Sequence, residues 1–396
     1  VVAVVARPFG AAIVTMAGTA APLTARQGDW TYPPIMSPRD TTLPPQDEPP
    51  PPGRRFLFLQ GPISPFFAEV AAGLIRLGHV AHRINLCLGD RLSWRGVPGA
   101  PKPVDFTGRP AEWPGFIARF LDLHRISDLV LLGEKRDYHL AAIEAAAARG
   151  VAVTVTDFGY FRPDWITLER DAMGGDSHFP RTPEAIRALA AGLPPADLAE
   201  RLKDDFGKQA RWDVIYHLAN LLRWPFPHYD SHQLHHPLTT HAGIALRLLR
   251  RGAEHEEGAR ALALTTGRPY WVFAMQMETD FSIRAYSSYA DMDTPLAETV
   301  RSFARHAAPD GHLIVKVHPL DPCVKRWGSR IRAIAAAAGV AARVHVAHHG
   351  ALDAMLTGSR GLVTVNSTVG LRAIVLDRPV KALGQAVWDV AGLAHQ

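Results

Sequence analysis

Apolar and polar residues alternate along the chain in a way that predicts short strands followed by amphipathic helices. The apolar run "RFLFL" from Arg55 is followed by "FFAEVAAGLIRLGH", whose apolar residues recur at helical spacing, and then by the apolar run "VAHRINLCL". Two more strands are predicted at "DLVLLGE" and "VAVTVTDFG", with the helical pattern "YHLAAIEAAAARG" between them. This alternation is typical of a parallel sheet covered by helices.

A second series of alternating elements begins near residue 265. The apolar runs "RPYWVFAMQ", "HLIVKVHP", "ARVHVAHH", "GLVTVNS" and "PVKALG" are separated by helical patterns, whereas residues 182–264 show helical patterns and no convincing strand. We therefore predict an α/β protein with two Rossmann-like domains that face a cleft and are joined by a helical segment.

The same patterns predict the domain boundaries. Residues 1–53 are proline-rich near "PPQDEPPPPGRR" and are predicted to form a disordered extension, in preference to a secretory signal. The predicted parts that follow are a Rossmann-like domain at 54–181, a helical connecting segment at 182–264 and a second Rossmann-like domain at 265–396. No helix is predicted after the last strand, which favours a chain that is a fragment of a longer protein.

Composition narrows the class of partner. The net charge of +5 and the pI near 9.3 fit anionic small molecules or an anionic membrane surface, and no nucleic-acid-binding motif is present, so nucleic acid is not a predicted partner. The two cysteines, Cys87 and Cys323, predict no disulfide framework and favour a reducing compartment. No apolar run reaches the length of about 18 residues that a spanning helix needs.

Polar residues at the ends of two strands in the second series are candidates for phosphate binding. Lys316 and His318 follow the apolar run "LIV", and Ser367 and Thr368 stand where a helix is predicted to begin. Cationic donors and a helix start can both stabilise a phosphate. An ordinary strand exit and an ordinary helix N-cap are the structural alternatives.

The segment "FAMQMETDFSIRAYSSY" contains two further candidates. Gln276 ends a predicted strand, and Asp280 follows it in a predicted loop. An acid at this position could act as a nucleophile, as a general base or as the cap of the helix that begins with "FSIRAYS". The spacing alone does not separate these three roles.

In the first series, charged and aromatic residues are concentrated in "TDFGYFRPDWITLER". Asp157, Arg162 and Glu169 stand there beside Tyr160 and Trp165. One interpretation is an acceptor pocket with an acidic base and a cation, and the other is a surface loop in which Asp157 caps a turn. The mixture of aromatic and charged side chains favours the pocket.

Two other segments invite a functional interpretation. The histidines of "SHQLHHPLTTH" lack the spacing that is typical of zinc sites, so no metal site is predicted and a polar helical surface is favoured. The segments "ALRLLRRG" and "LLRWPFPHY" combine arginines with apolar and aromatic residues, which suits a membrane surface. A packed amphipathic helix explains them nearly as well.

Several motifs occur in an order that resembles one family. They are "FLQGPISPFF", "GHVAHRINLCLGD", "GEKRDYH", "DFGYFRPDWITLE", "MQMETDFSI", "KVHP" and "VNSTVG". Together they resemble the bacterial capsular polysaccharide biosynthesis and export proteins of the KpsS type. The resemblance extends from Arg54 to the end of the chain and includes motifs in both predicted Rossmann-like domains.

The resemblance implies a GT-B-like glycosyltransferase that needs no cofactor. Its expected reaction is the retaining transfer of the first β-linked Kdo (3-deoxy-manno-octulosonic acid) from CMP-Kdo to a (lyso)phosphatidylglycerol acceptor. A cytoplasmic protein, peripheral at the inner face of the inner membrane, is then expected. Its expected partners are a KpsC-type transferase and the capsule export complex. Two alternatives stay open: a non-enzymatic assembly or export component that binds glycolipid, and a GT-B enzyme that uses another sugar nucleotide.

The resemblance also implies a role for each candidate residue. Asp280 matches the candidate nucleophile, Lys316 and His318 match residues that hold the CMP phosphate and the donor carboxylate, and Ser367 and Thr368 match the phosphate-binding turn. The remaining candidates are Asp157 as acceptor-side base and Gln276, Arg162 and Glu169 as substrate-binding residues. Where relatives carry "EDG", this chain has Asp157, Phe158 and Gly159, so the second acid of the family pattern is absent.

Overall fold

The computed structural model describes residues 2–5, 53–194, 198, 201–203, 205–231 and 233–395. Apart from 2–5 and 53, the predicted extension 1–53 lies outside the described residues. The described part of the chain forms two compact units. The first unit contains Val1–Ala172 and Ala190–Asp230, and the second contains Met173–Leu189 and Ser231–Gln396.

The helices and strands follow the predicted alternation. The strands within the described residues are β1 (Val2–Val5), β2 (Arg55–Phe58), β3 (Val80–Asn85), β4 (Val104–Asp105), β5 (Asp128–Leu132), β6 (Ala152–Phe158), β7 (Trp165–Arg170), β8 (Tyr270–Ala274), β9 (His312–Lys316), β10 (Val344–Ala347), β11 (Leu362–Thr364) and β12 (Val380–Ala382). The α-helices there are α1 (Phe66–Arg76), α2 (Leu88–Ser93), α3 (Trp113–Leu123), α4 (Asp137–Ala147), α5 (Pro183–Ala190), α6 (Phe206–Leu221), α7 (Pro237–Thr265), α8 (Phe281–Tyr286), α9 (Asp293–His306), α10 (Trp327–Ala337), α11 (Leu352–Thr357) and α12 (Val369–Val375). Short 3-10 helices lie at Pro110–Glu112, Gly174–Asp176 and Ala341–Arg343.

The first unit contains a mixed sheet. Its described strands pair in the order β1-β7-β6-β5-β2-β3-β4, and the five from β6 to β4 in this order are parallel. Starting from β2, the chain winds outward to β3 and β4 and then returns to add β5 and β6 on the other side. This is the strand order of a Rossmann-like sheet, and it confirms the α/β prediction for this unit.

The loop predicted after β6 is in fact a β-hairpin. β7 pairs antiparallel with β6, and β1 pairs antiparallel with β7 at the edge of the sheet. The buried alternate positions of β7 include Thr167 and Glu169, so its inward face lacks the apolar alternation that predicts a strand. β1 shows that residues 2–5 of the predicted extension belong to the sheet.

The second unit contains a parallel sheet. Its described strands pair in the order β10-β9-β8-β11-β12, so the chain again winds outward from its first strand and then returns to the other side. In β9 the residues Leu313, Ile314 and Val315 are all fully buried, as expected for a parallel strand with both faces covered. The α/β prediction is therefore confirmed for this unit as well.

Apolar side chains from the second sheet pack against α9 and α10. Phe273 and Val315 from the strands join Leu296 of α9 and Trp327 and Ile331 of α10 in one buried cluster. Burying each such side chain stabilises the fold by about 1.5–3 kcal/mol relative to leaving it exposed. This core holds the carboxyl ends of β8 and β9 in place, and the candidate residues follow these ends.

The described part of segment 182–264 contains helices and no strand, as its pattern predicts. These helices do not form a separate unit, however: α6 belongs to the first unit, whereas α7 belongs to the second. Among the described residues, no helix combines the length and the apolar character needed to cross a bilayer.

Candidate functional site

The strand order of the second sheet reverses between β8 and β11. In doubly wound sheets, ligands bind outside the carboxyl ends of the strands at such a point. The last residues of these two strands, Ala274 and Thr364, are directly paired. Gln276 and Asn366 each lie two residues further along the chain. The sheet register therefore brings their amide side chains together.

Gln276 and Asn366 hydrogen-bond to each other at both ends of the glutamine amide. Asn366 N donates to Gln276 Oε1 at 3.0 Å, and Gln276 Nε2 lies 2.8 Å from Asn366 Oδ1. Gln276 Nε2 also lies 3.1 Å from Ser282 Oγ, and Asn366 Nδ2 donates to Ser282 O at 2.9 Å. These contacts fix the loop after β8 against the loop after β11. The predicted contact of Gln276 with substrate stays a prediction.

Asp280 is the N-cap residue of α8. Its Oδ1 accepts a hydrogen bond from Ser282 N at 2.9 Å, and its Oδ2 accepts one from Gln276 Nε2 at 3.2 Å. The structure thus shows the helix cap, one of the three roles that the sequence left open. Each carboxylate oxygen has two lone pairs, so these two hydrogen bonds use only part of the acceptor capacity of the Asp280 carboxylate.

Lys316 ends β9 and is 7% exposed. Its Nζ donates to the backbone carbonyls of Val317 and His348, each at 3.0 Å. Burial, and then the nearby charge of Arg247, lowers the pKa of Lys316 to about 8. The Lys316 amine therefore links the ends of β9 and β10. Its role in phosphate binding stays a prediction.

His318 lies in the turn that follows β9. Its Nδ1 accepts a hydrogen bond from Leu320 N at 3.1 Å, so a neutral imidazole here carries its proton on Nε2. Its backbone carbonyl accepts a hydrogen bond from Arg247 at 2.9 Å. The strand exit that the sequence suggested is therefore present, and the predicted role of His318 in substrate binding stays a prediction.

Ser367 and Thr368 precede α12, which begins at Val369 as predicted. Ser367 Oγ accepts a hydrogen bond from Val369 N at 3.3 Å, and the indole of Trp388 donates to the Ser367 carbonyl at 3.1 Å. Thr368 is the N-cap residue but makes no side-chain cap bond. Both residues follow β11, so the fold places them beside Asn366 at the reversal point.

A buried ion pair supports the turn that contains His318. Arg247 of α7 pairs with Glu254, with Nη2 2.9 Å from Oε2, and also donates to the carbonyls of His318 at 2.9 Å and Asp321 at 2.8 Å. Arg247 belongs to "ALRLLRRG", for which the sequence left a membrane surface and a packed amphipathic helix open, and its side chain is among the most buried charged groups of this unit. The guanidinium therefore ties α7 to the loop after β9.

A second charged cluster includes Glu278, which stands two residues before Asp280. Lys325 contacts both Glu278 and Asp293, and Arg330 also pairs with Asp293 at 2.8 Å. Burial opposes the charged form of Lys325, but hydrogen bonds to Asp293 and Glu278 raise its pKa. This cluster holds the loop after β8 against the start of α9.

In the first unit, the β6–β7 hairpin brings several acids near one tyrosine. Tyr160 donates a hydrogen bond from its hydroxyl to Glu169 Oε1 at 2.9 Å. Burial, followed by the negative charges of Glu169, Asp157 and Glu134, raises the pKa of Tyr160. Glu134, which follows β5, and Glu169 are both buried. Glu134 and Asp157 thus lie at the carboxyl ends of the parallel strands β5 and β6, whereas Glu169 lies on the antiparallel strand β7, opposite Val155 of β6.

The hairpin does not bring all of its predicted site residues together. Asp157 pairs with Thr167 across the ladder, so Asp157 and Glu169 lie on one face of the sheet. Phe158 points to the other face, and the Arg162 guanidinium covers its ring at 4.8 Å. The predicted combination of an acidic base and a cation is therefore divided between two faces. Asp157 Oδ1 also accepts a hydrogen bond from Phe158 N at 2.8 Å, a local contact of the kind that the loop interpretation suggested.

The strand order of the first sheet reverses between β2 and β5, and Gln60 follows β2 there. Gln60 Nε2 donates to the hydroxyl of Tyr229 at 3.1 Å and to that of Tyr216 at 3.3 Å. The Tyr216 hydroxyl lies 3.1 Å from Cys87 Sγ. Burial, followed by the charge of Asp90, raises the pKa of Tyr216. This polar network connects α6 to the carboxyl end of β2.

The histidines of "SHQLHHPLTTH" lie around the start of α7. His236 caps this helix by accepting a hydrogen bond from Leu238 N at 3.3 Å, and His241 Nδ1 lies 2.7 Å from the carbonyl of Pro237. His232 lies outside the described residues. Within the part of the chain that the structure describes, no group of three or more histidine, cysteine or acidic side chains could hold a metal ion.

Sequence reasoning missed several residues of these networks. Asn366 and Ser282 stand inside the motifs "VNSTVG" and "METDFS", next to residues that were singled out. Glu134 stands inside "GEKRDYH". An amide two residues after each of two adjacent strands was the available signal for the Gln276–Asn366 pair. The buried Arg247 had no such signal, because arginines at helical spacing usually lie on a solvated face.

The fold and these sites define an α/β protein with two Rossmann-like units and polar residues at the reversal point of each sheet. The family described as "Capsule polysaccharide biosynthesis protein" matches residues 127–396. The chain is 30% identical over 352 residues to the Escherichia coli "Capsule polysaccharide export protein KpsS". The aligned region covers 87% of this chain and 88% of that protein. It is 27% identical to the Neisseria meningitidis serogroup A "Capsule polysaccharide modification protein LipB", over 86% of this chain and 82% of that one.

The chain therefore belongs to the capsule polysaccharide biosynthesis protein family, and the resemblance drawn from the motifs is confirmed. Among solved structures, similarity is found to one described as "Thermosulfurimonas dismutans KpsC, beta Kdo 2,7 transferase". That likeness has a TM-score of 0.42 and 13% identity, and it covers 86% of this chain and 83% of that one.

Proposed function

We propose that this protein is a glycosyltransferase of the GT-B type that uses CMP-Kdo to add the first β-Kdo to a (lyso)phosphatidylglycerol acceptor, with retention of configuration. The observation that carries the proposal is the network of Gln276, Asn366 and Ser282, which presents the Asp280 carboxylate at the reversal point of a Rossmann-like sheet. Membership of a capsule biosynthesis family supports a role in making a glycan.

Asp280 acts in this proposal as the nucleophile of a double displacement. Its carboxylate forms a bond to the anomeric carbon of Kdo while the bond from that carbon to the CMP phosphate breaks and the phosphate keeps the electron pair. Lys316 and His318 donate hydrogen bonds to the leaving phosphate and the donor carboxylate, and the hydroxyls of Ser367 and Thr368 contact the phosphate.

The second displacement transfers the sugar from Asp280 to the acceptor. An acceptor hydroxyl attacks the anomeric carbon, the bond to the Asp280 carboxylate breaks, and Asp157 accepts the hydroxyl proton. Glu169 lies on the same sheet face as Asp157, which supports its proposed place in acceptor binding. Arg162 lies on the opposite face with Phe158, so its proposed contact is with a more distant part of the acceptor.

The proposed reaction implies where in the cell the protein works. CMP-Kdo is a cytoplasmic metabolite and the acceptor is a phospholipid, so the protein works at the inner face of the inner membrane. A KpsC-type transferase that extends the product, and the capsule export complex, are the proposed partners. The Escherichia coli relative is named as an export protein, which supports this place in capsule assembly.

The test is donor turnover with a defined acceptor. Purified protein is incubated with CMP-Kdo, with and without lysophosphatidylglycerol, and the products are measured as released CMP and as the intact mass of the lipid. We expect CMP release that depends on the acceptor, together with a lipid heavier by one Kdo. Lipid binding without CMP release would instead favour a non-enzymatic export component. A larger thermal shift with UDP or GDP than with CMP would favour another donor.

The depressed pKa of Lys316 predicts a pH dependence of nucleotide binding. Below about pH 8 the Lys316 amine is charged and can attract the CMP phosphate, whereas it loses this charge as the pH rises through that value. The phosphate itself keeps its full charge above about pH 6, so it does not contribute to the change. We expect the affinity for CMP, measured by calorimetric titration, to fall as the pH rises through about 8.

The matched variant is Lys316→Met, which keeps the length of the side chain and removes its charge. At neutral pH this variant should bind CMP as weakly as the unchanged protein does at high pH, and its affinity should not vary across the same range. Equal affinities of the two proteins at neutral pH would restrict Lys316 to its contacts with the backbone carbonyls.

A further inference from the structure

The outer face of α6 is apolar although it is exposed. α6 has 16 residues and is about 24 Å long. Its second half, together with the loop that follows, exposes five aliphatic side chains and one tryptophan. We call this set the α6 apolar face, and its members are Val214, Ile215, Leu218, Leu221, Leu222 and Trp224. Contiguous exposed apolar residues of this kind mark surfaces that bind a partner or a membrane.

The inner side of the same helix is polar and firmly attached. The Tyr216 hydroxyl accepts a hydrogen bond from Gln60, and Asn220 Oδ1 accepts one from Gly89 N at 2.8 Å. The Tyr216 ring also occupies the space that a side chain at Gly89 would need. The helix therefore turns its polar side inward and its aliphatic side outward, the reverse of the usual arrangement of a surface helix.

The loop after α6 holds Trp224 outward. Trp224 is 82% exposed, whereas Phe226, two residues later, is buried beneath the Arg91 guanidinium at 5.2 Å. Further along, the hydroxyl of Tyr229 accepts a hydrogen bond from Gln60 at 3.1 Å. Because both ends of this short segment are attached to the body of the unit, the exposed indole is a feature of the fold.

Three exposed cations, Lys208, Arg211 and Arg223, lie along α6 and the loop that follows it. Among the carboxylates, Asp213 Oδ1 lies 3.3 Å from His217 Nε2, Asp205 caps α6 by accepting a hydrogen bond from Lys208 N at 2.9 Å, and Asp230 stands at the far end of the segment. Exposed aliphatic residues and a tryptophan flanked by lysine and arginine form the composition that binds anionic bilayers.

We propose that the α6 apolar face binds the surface of an anionic phospholipid bilayer, with Leu218, Leu222 and Trp224 inserted between the headgroups and the three cations paired with lipid phosphates. This inference rests on the proposed function, because an enzyme that glycosylates a phospholipid must meet its acceptor at a bilayer. The polar network behind α6 ends at Gln60, beside the reversal point of the first sheet.

A second copy of the chain fits this face less well. Pairing the same surface of two copies about a twofold axis would bring Lys208, Arg211 and Arg223 of each copy close to those of the other. In the sequence from 205 to 229, Asp205 and Asp213 are the carboxylates that could compensate these three cations, and Asp205 already caps α6. A bilayer that contains phosphatidylglycerol supplies the missing negative charge and the apolar phase together.

The test is cosedimentation of the full chain with vesicles, a measurement that needs no turnover. The vesicles are phosphatidylcholine alone, and phosphatidylcholine with phosphatidylglycerol in equal parts. We expect binding to the anionic vesicles that weakens with added salt. The double variant Leu222→Glu, Trp224→Glu should lose affinity by at least about tenfold. Lys208→Gln and Arg211→Gln should each lower it about fivefold on the anionic vesicles.

Leu123→Glu is the matched control, because Leu123 is a 78% exposed leucine at the end of α3 in the same unit. This variant should bind vesicles like the unchanged protein, and thermal unfolding of all the variants should show that each is folded. Absence of vesicle binding by the unchanged protein, or equal binding by the double variant, would overturn the proposal. So would a dimer of the unchanged protein that the double variant converts to a monomer.

The proposed function and this inference fail in different ways. If no acceptor produces CMP release while the double variant still loses vesicle binding, the transferase proposal fails. The proposal that the α6 apolar face binds a bilayer is then supported independently. Asp280→Asn provides the reciprocal check, since it changes the second unit and should bind vesicles as the unchanged protein does. If CMP is released with lysophosphatidylglycerol but the vesicles do not bind, the membrane surface is wrong and the transferase stands.

Discussion

Replacing Asp280 with alanine is expected to lower acceptor-dependent CMP release by at least about a thousandfold, the scale of effect seen when a catalytic nucleophile is removed. The expectation follows from the position of the carboxylate at the reversal point of the second sheet, where Gln276 and Ser282 hold both of its oxygens. The measurement is CMP release from CMP-Kdo with lysophosphatidylglycerol, under saturating donor.

The alanine variant also removes the cap of α8, which would cost about 0.5–2 kcal/mol of stability. Asp280→Asn separates the two roles, because the asparagine oxygen can still accept a hydrogen bond from Ser282 N but cannot act as the nucleophile. Its amide nitrogen faces Gln276 Nε2 and loses that hydrogen bond, so we expect Asp280→Asn to unfold at a higher temperature than the alanine variant and to lose turnover as that variant does. Turnover retained by Asp280→Asn would limit Asp280 to its role as a helix cap.

Replacing Arg247 with alanine is expected to lower the free energy of unfolding of the second unit by about 3–5 kcal/mol, as when one partner of a buried ion pair is removed. The change leaves the Glu254 carboxylate without its guanidinium partner and deprives the carbonyls of His318 and Asp321 of a donor. The measurement is urea unfolding, followed by hydrogen exchange of the backbone amides of β9, which lies in the core of the second unit.

Arg251→Ala is the matched control for Arg247. Arg251 lies on the same helix and is exposed, so its loss should change the free energy of unfolding by about 0.5 kcal/mol or less. If Arg247→Ala unfolds at the same urea concentration as Arg251→Ala, the ion pair does not stabilise the turn at His318. Arg247→Ala should also weaken CMP binding, because the turn that Arg247 supports contains His318, a proposed ligand of the CMP phosphate.

Much of the fold was predictable because its signals are local. The apolar runs that became β2, β5, β8 and β9 and the helical patterns between them are visible within windows of about ten to twenty residues. The strands β1, β4 and β7 were not predicted, and in β7 the inward positions Thr167 and Glu169 are polar. A strand of that composition is recognised only when its partner β6 is known, because its stability comes from the ladder and from the hydrogen bond between Tyr160 and Glu169.

The candidate site of the second unit was predictable in location and less so in its contacts. Parallel strands present their carboxyl ends at one edge, so Lys316, Gln276 and Ser367 had to lie near the same edge once the strands were identified. The partners of these side chains could not be read from spacing. Lys316 contacts the carbonyl of His348, and Arg247 pairs with Glu254 while reaching the turn at His318.

The sequence by itself determined the α/β class, the two Rossmann-like series and the motifs that place this chain in a capsule biosynthesis family, since periodicity and short motifs are encoded by neighbouring residues. Only the tertiary structure decided which side chains meet. Gln276 and Asn366 are 90 residues apart in the chain and bond because β8 and β11 are adjacent. Asp157 and Arg162 are five residues apart and lie on opposite faces of a sheet. Such pairings depend on strand register and long-range packing, and no local pattern encodes either.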